Sequence, residues 1–211
     1  MEILTPTSRH RAVTYLREQE PFFDEIVTQW GLPPTNTRAP GFASLMHMIL
    51  EQQVSLASAL AVFNRLVTLT GTLTPQNFIV LDDIQLKGIG FSRQKITYGR
   101  HLADAIVAGN LDLDALASKD DDFVRDSLMQ LKGIGRWTAD IYLLMVLKRA
   151  NVWPVGDLAL AVSYQETWGL DVRPTQVELA AVAKNWQPWC SVAALLLWHQ
   201  YLCKRGKQYP L

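Results

Sequence analysis

The chain has 211 residues, of which 49% are hydrophobic and 19% are charged, and its 20 basic residues balance its 20 acidic ones. This composition is typical of a folded globular protein and excludes a disordered or low-complexity chain. Two cysteines are too few for a four-thiolate iron–sulfur cluster or a disulfide scaffold, and no stretch resembles an export signal or a membrane span. We therefore expect an intracellular protein with reduced thiols, in the cytoplasm or nucleoid if the source is bacterial.

Apolar residues recur with helical spacing along most of the chain, and few segments alternate as strands do. Glycine and proline stand between the periodic segments, where helices end. The pattern predicts an all-α fold. The predicted helices cover about 9–30, 42–69, 75–83, 92–107, 120–130 and 135–149, and three more follow positions 157, 174 and 188.

Two breaks divide the predicted helices into groups. The first is the proline-stiffened GLPPTNTRAPG at 31–41, and the second is ANVWPVGD at 150–157. We expect one module, 1–211, with two lobes. A central lobe would span about 42–150, and about 1–41 plus 151–211 would form the second lobe.

The segment LMQLKGIGRWTAD has the pattern of two helices joined by a tight turn. Gly133 and Gly135 bracket Ile134, and glycine lets the backbone turn tightly and approach a ligand closely. The first N–H groups of the following helix can bind a phosphate oxygen. Lys132 and Arg136 would add charge that positions DNA without reading its sequence. The alternative is a plain corner between two helices.

The sequence GIGRWTAD resembles the hairpin signature of the helix–hairpin–helix (HhH-GPD) DNA glycosylase superfamily, in particular the 3-methyladenine DNA glycosylase II branch. The resemblance runs from about Phe42 to the C-terminus. It implies a two-lobed helical fold with the active-site cleft between the lobes. It also implies that the partner is duplex DNA containing a damaged base.

Within the hairpin, the resemblance assigns a phosphate contact to the backbone of Gly133, Gly135 and Thr138. It also implies a monovalent cation, and no other cofactor. The cation's ligands would be the backbone carbonyls of Met129, Leu131 and Ile134.

The letters LKGIG also occur earlier in the chain, followed by FSRQK. This branch often has a glycine-rich turn before Ser-Arg-x-Lys, so the first copy would support DNA binding. Alternatively, Ser92 simply caps a helix, and Arg93 and Lys95 are solvated.

Asp157 stands where a Pro and Gly loop gives way to a predicted helix, and the superfamily places its catalytic aspartate at this point. A helix start favours an ionised carboxylate. Such an anion stabilises the positive charge that builds on a sugar when its glycosidic bond breaks, and it can orient the attacking water. Without the hairpin upstream, Asp157 would be interpreted as an N-cap alone.

Trp137 occupies the position at which members with lyase activity have lysine, two residues after the second hairpin glycine. An aromatic ring cannot form the Schiff base that β-elimination requires. Water is therefore expected to be the nucleophile, and the product an intact abasic site.

A base inside duplex DNA must be flipped out before it is cleaved, and aromatic rings commonly sandwich it. Trp137 and Trp198 match aromatic positions of this branch, and His199 could donate a hydrogen bond to the base. Gln53 best matches the residue that fills the gap in the duplex. Core packing of the tryptophans and a solvated glutamine pair are the alternatives.

Four other tryptophans are expected in the core or in lobe contacts: Trp153, Trp168, Trp186 and Trp189. The chain reads PWCS, with Cys190 where this branch often has arginine. The role of that arginine is therefore not carried over.

We predict a monomeric, monofunctional DNA glycosylase that removes 3- or 7-methylpurines as the first step of base excision repair. Two alternatives stay open. A non-catalytic helix–hairpin–helix module would need the hairpin but not Asp157, and a helical protein-interaction domain would account for the neutral net charge.

Overall fold

The computed structural model describes residues 2–34 and 38–207. Positions 35–37 of the predicted linker lie outside the described residues. Within the described ranges the regular structure is helical, apart from an isolated bridge between Ile3 and Arg149. The all-α prediction is confirmed. None of the helices seen in these ranges has the length and apolar character needed to cross a membrane.

The helices follow one another along the chain with short connections. They are α1 (Pro6–Gln19), α2 (Pro21–Trp30), α3 (Phe42–Glu51), α4 (Leu56–Thr70), α5 (Pro75–Ile79), α6 (Asp83–Gly88), α7 (Arg93–Val107), α8 (Leu113–Leu116), α9 (Asp121–Met129), α10 (Arg136–Ile141), α11 (Leu158–Trp168), α12 (Gln176–Ala183) and α13 (Cys190–Lys204). A π-helix, Tyr142–Val146, follows α10, and a 3₁₀ turn, Lys184–Trp186, follows α12.

The chain divides into two compact units. The central unit comprises residues 38–142 and holds α3 to α10. The discontinuous unit comprises the described residues 2–34 and 143–207 and holds α1, α2 and α11 to α13.

The single helix predicted at 9–30 is wrong, because α1 and α2 are separate. Thr5 and Ser8 form a capping box that starts α1 at Pro6. Pro21 occupies the first position of α2. Proline lacks an N–H and fixes its own φ, so it starts a helix more readily than it continues one.

The helix predicted at 42–69 is also two helices. The chain leaves α3 at Gln52, and Ser55 then caps α4 by accepting a hydrogen bond from the Ser58 N–H at 3.2 Å. Gln53, in this turn, has a φ of +57°. That left-handed conformation is costly for a residue with a Cβ and cannot continue a helix.

Three smaller features also differ from the prediction. The segment 75–83 contains α5 and only the first residue of α6, and 135–149 contains α10 followed by the π-helix. The four-residue α8 was not predicted. Short helices have too few turns to display a clear periodicity.

The core of the central unit forms where α3 packs against α4 and α7. Met46 of α3 and Phe78 of α5 are fully buried. Gly99 of α7 lies between them, and a Cβ on it would stand 2.8 Å from the Phe78 ring and 2.9 Å from Met46. Gly99 thus allows these helices to approach closely.

The discontinuous unit is built around α13, which packs against α1, α2 and α11. Residues 190–200 of this helix are all buried, as expected for a helix covered on every side. An aromatic cluster lies beside it and includes Phe23, Trp168 and Trp186. The core prediction is confirmed for Trp186 and Trp189.

Candidate active site

The hairpin joins α9 to α10 in the central unit, and its two glycines have different requirements. Gly133 has a φ of +91°, and a Cβ there would stand 2.2 Å from the Tyr98 ring. Gly135 has an ordinary φ of −95°, and its Cβ would meet no described atom within 4 Å. The fold therefore requires glycine at 133 and leaves open space over 135. Ile134, between the two glycines, is buried.

The earlier LKGIG copy has a different backbone. In the hairpin the first glycine has positive φ, whereas in the earlier copy it is the second, Gly90, with a φ of +105°. Gly88 takes no such conformation and ends α6. The two five-residue matches are therefore not a structural repeat.

A cavity of about 580 Å³ opens over the hairpin in the central unit. Its lining includes five residues that were predicted to contact DNA or the base, together with parts of the α3–α4 turn and of the first LKGIG turn. The lining residues that were assigned a contact are Gln53, Gly133, Gly135, Trp137 and Thr138. The first LKGIG copy and the residues after it, whose support of DNA binding was left open, supply Gly90, Ser92, Gln94 and Lys95, and the lining residues that were not predicted are Gln52, Val54 and Tyr98. The first LKGIG turn thus faces the same cavity as the hairpin.

Trp137 and Thr138 differ in exposure within this cavity. The Trp137 residue is 37% exposed, whereas Thr138 is buried. The predicted contact of Trp137 with a flipped base remains a prediction. Gln53 is exposed in its turn, as a residue that enters DNA would have to be.

Arg136 is held by a buried carboxylate that the sequence did not single out. Asp140 is fully buried and accepts hydrogen bonds from Arg136 Nε at 3.0 Å and from Arg125 Nε at 2.8 Å. The side chain of Arg136 is still 54% exposed. The Arg136 guanidinium would therefore bind a phosphate while it also pairs with Asp140. Lys132, in contrast, is an exposed residue.

The predicted cation ligands lie where α9 ends. The Leu131 carbonyl accepts the Ile134 N–H at 3.1 Å. A carbonyl oxygen has two lone pairs, so this bond is compatible with a cation. Within the described ranges, no cluster of three or more His, Cys, Asp or Glu side chains could hold a metal, so a cation here would rest on backbone oxygens.

Asp157 lies in the discontinuous unit as the N-cap of α11. Its Oδ1 accepts hydrogen bonds from the Leu160 N–H at 2.9 Å and from the Trp198 indole N–H at 3.1 Å. Two donors thus fix the orientation of the carboxylate. The predicted N-cap role is present, and the bond from Trp198 was not predicted because it joins residues 41 positions apart.

Asp157 also lines a cavity of about 270 Å³, and it is the only carboxylate among the lining residues. The cavity includes Trp153, which was expected in the core or in lobe contacts, and Arg173. Trp153 also contacts Trp186 edge to face, with 5.3 Å between ring centroids. The structure therefore gives Asp157 a cationic and an aromatic neighbour in one cavity.

Trp198 and His199 make contacts with different elements. Trp198 is 9% exposed and donates to Asp157. The His199 Nε2 lies 2.9 Å from the Trp30 carbonyl, which requires Nε2 to carry the proton. Neither ring lines the Asp157 cavity, so their predicted contacts with a base remain predictions.

Cys190, for which no role was carried over from the family, is buried. It begins α13, is 4% exposed, and its Sγ lies 3.1 Å from the Ala183 carbonyl. Burial raises the pKa of Cys190 to about 12, so the thiol stays protonated. This position therefore belongs to the core of the discontinuous unit.

The chain matches the family described as HhH-GPD superfamily base excision DNA repair protein over residues 46–188. That match covers more than half of the chain, and the chain belongs to this superfamily. The assignment made from GIGRWTAD is confirmed.

Relatives and solved structures agree on the branch. A Bacillus subtilis protein with a provisional DNA-3-methyladenine glycosylase name, YfjP, is 30% identical over 162 residues, which cover 73% of this chain and 56% of the relative. The chain thus spans little more than half of that relative. The Schizosaccharomyces pombe 3-methyladenine DNA glycosylase in complex with abasic DNA is 25% identical, with a TM-score of 0.82 over 89% of this chain and 95% of that one. The Bacillus halodurans DNA-3-methyladenine glycosidase is 28% identical, with a TM-score of 0.78 over 99% and 96%.

Proposed function

We propose that this chain is a monofunctional DNA glycosylase that acts on alkylated purines in duplex DNA. It would flip the damaged base out of the helix and hydrolyse the bond to deoxyribose, which starts base excision repair. The observation that carries the proposal is the oriented carboxylate of Asp157 in a superfamily of base excision DNA repair proteins. The names of the relatives agree with this activity.

Asp157 supplies the charge that the reaction requires. As the base leaves with the bonding electrons, positive charge grows on the sugar, and a carboxylate nearby lowers the energy of that state. Water then adds to the anomeric carbon and loses a proton, for which the carboxylate is the acceptor. The bonds from the Leu160 N–H and the Trp198 indole N–H hold this carboxylate in one orientation.

The hairpin would hold the DNA backbone. The open space over Gly135 lets a phosphate oxygen approach the first N–H groups of α10. Lys132 and Arg136 would add charge, and the cation at the Met129, Leu131 and Ile134 carbonyls would add more. Gln53 would fill the gap in the duplex, and its amide can bond the partner base. We expect the protein to act as a monomer.

We expect that borohydride will not trap a covalent enzyme–DNA adduct. Trp137 stands where the lyase pattern requires lysine, so no Schiff base forms at that position. Denaturing electrophoresis after incubation with alkylated duplex should show strand scission only after alkali treatment. Robust trapping at any lysine would contradict the monofunctional assignment.

We expect release of 7-methylguanine and 3-methyladenine to be faster than release of hypoxanthine or uracil. A cationic purine is already a good leaving group and needs no protein acid to protonate it, and Asp157 is the only carboxylate among the described residues that line its cavity. Aromatic faces at Trp137 and Trp198 would add cation–π attraction of about 0.5–2 kcal/mol. The measurement is single-turnover release from matched duplexes.

Faster release of uracil or hypoxanthine than of both methylated purines would contradict the charged-leaving-group proposal but not the glycosylase activity. DNA binding without any base release would instead favour a non-catalytic helix–hairpin–helix module. Neither binding nor release would favour a protein-interaction domain.

A further inference from the structure

Gln52 joins the α3–α4 turn to the hairpin inside the central unit. Its side-chain Nε2 donates to the Gly133 carbonyl at 2.8 Å and lies 3.4 Å from Thr138 Oγ1. The two turns are 81 positions apart in the sequence. A single half-buried amide therefore spans the gap between them.

Two further contacts hold these turns in place. The Lys95 ammonium of α7 donates to the Leu50 carbonyl at 2.6 Å, near the end of α3. The Tyr98 ring, also on α7, occupies the space beside Gly133. Helix α7 thus contacts both turns, and Gln52 connects them directly to each other.

The next residue, Gln53, is the exposed one with a φ of +57°. A non-glycine residue persists in this conformation only when its surroundings hold it there. Gln52 and the Lys95 contact supply that support on the N-terminal side of the turn. Without the Gln52 bond, the turn would be held to the hairpin by fewer contacts, and the position of Gln53 would be less well defined.

We propose that Gln52 is a positioning residue that holds Gln53 at a fixed position relative to the phosphate-binding hairpin. The inference depends on the proposed function, in which Gln53 fills the gap left by the flipped nucleotide. The hairpin that binds phosphate at Gly135 and the turn that inserts Gln53 then keep a fixed geometry relative to each other. If Gln53 lost this position, the rate of base release would fall, while the contacts with undamaged duplex would stay in place.

A double-mutant cycle tests the coupling. Gln52→Met keeps the length of the side chain and removes the donor, and Gln53→Ala removes the inserted amide. Gln52→Met should slow single-turnover base release about 10-fold in the wild-type background and less than about 2-fold in the Gln53→Ala background. Equal effects in both backgrounds would overturn the proposal, because a merely structural residue acts independently of Gln53.

Two more variants sharpen the test. Gln52→Glu keeps the shape but presents acceptors to the Gly133 carbonyl, so it should be at least as slow as Gln52→Met. Wild-type rates for Gln52→Glu would overturn the proposal. Gln76→Met, at an exposed position of α5, is the matched control and should release base at the wild-type rate.

Hydrogen exchange separates this inference from the proposed function. Gln52→Met should accelerate amide exchange at residues 53–55 and at the hairpin, with other helices of the central unit unchanged. If the wild-type protein released no base but exchange responded in this way, the proposed activity would fail and the coupling of the two turns would survive. Unchanged exchange at both turns would overturn the coupling.

Discussion

Asp157→Asn is expected to fold and bind DNA but to release alkylated bases about 10²–10³-fold more slowly. Asparagine retains an oxygen that can accept from the Leu160 N–H and cap α11, so stability should change little. The charge that opposes the developing sugar cation is lost. Single-turnover release from a duplex containing 7-methylguanine measures the effect, and thermal unfolding checks the fold.

Trp198→Phe is the matched variant for this test. It keeps an aromatic ring in α13 and removes the indole N–H that bonds Asp157 at 3.1 Å. We expect an intermediate rate, because the carboxylate keeps its charge and its Leu160 bond but loses one orienting donor. Asp157→Asn with unchanged base release would eliminate Asp157 as the catalytic group.

Gly135→Ala is expected to leave the fold intact and to weaken binding to all duplexes alike. Its backbone conformation suits any residue, and its Cβ meets no described atom within 4 Å, so stability should stay within about 0.5 kcal/mol. A phosphate oxygen at that place would be displaced, and loss of a bond to a charged group lowers affinity about 10–100-fold. Titration of damaged and undamaged duplexes at several salt concentrations measures the loss.

Gly133→Ala should behave differently although it lies two residues away. Positive φ and the clash with Tyr98 predict destabilisation by about 2–5 kcal/mol. Gly88 stands at the matching place of the first LKGIG copy, has an ordinary φ, and has open space where a Cβ would lie. Gly88→Ala therefore serves as the control for Gly133→Ala and Gly135→Ala. Altered lesion preference with normal affinity in Gly135→Ala would contradict the phosphate role.

The local features of the fold were predictable from sequence, and the features set by distant contacts were not. Helical periodicity gave the correct fold class and located α7 within one residue of its ends. The splits at Pro21 and at Gln52–Ser55 were missed because apolar spacing continues through both breaks. The left-handed Gln53 depends on contacts from α7 and the hairpin, which periodicity does not report.

The site shows the same division. The hairpin glycines and Asp157 were found because their signals lie within a few neighbouring residues. Gln52 bonds Gly133, Trp198 bonds Asp157, and the buried Asp140 bonds Arg125, over 81, 41 and 15 positions of sequence. Asp140 has a second partner, Arg136, only four residues away, and that spacing suggests an ordinary helix pair.

The pairing of Arg136 with Asp140 bears on how the protein would search a genome. An arginine paired with a protein carboxylate releases fewer counterions when it meets a phosphate than an unpaired one does, so it adds less to sequence-independent affinity. The chain as a whole has no excess of positive charge either. Under the proposed function, encounters with undamaged duplex would be brief and numerous. The protein would then stay long on DNA only at sites where a base leaves the stack. Rapid transfer from one site to the next would compensate for its weak binding to undamaged duplex.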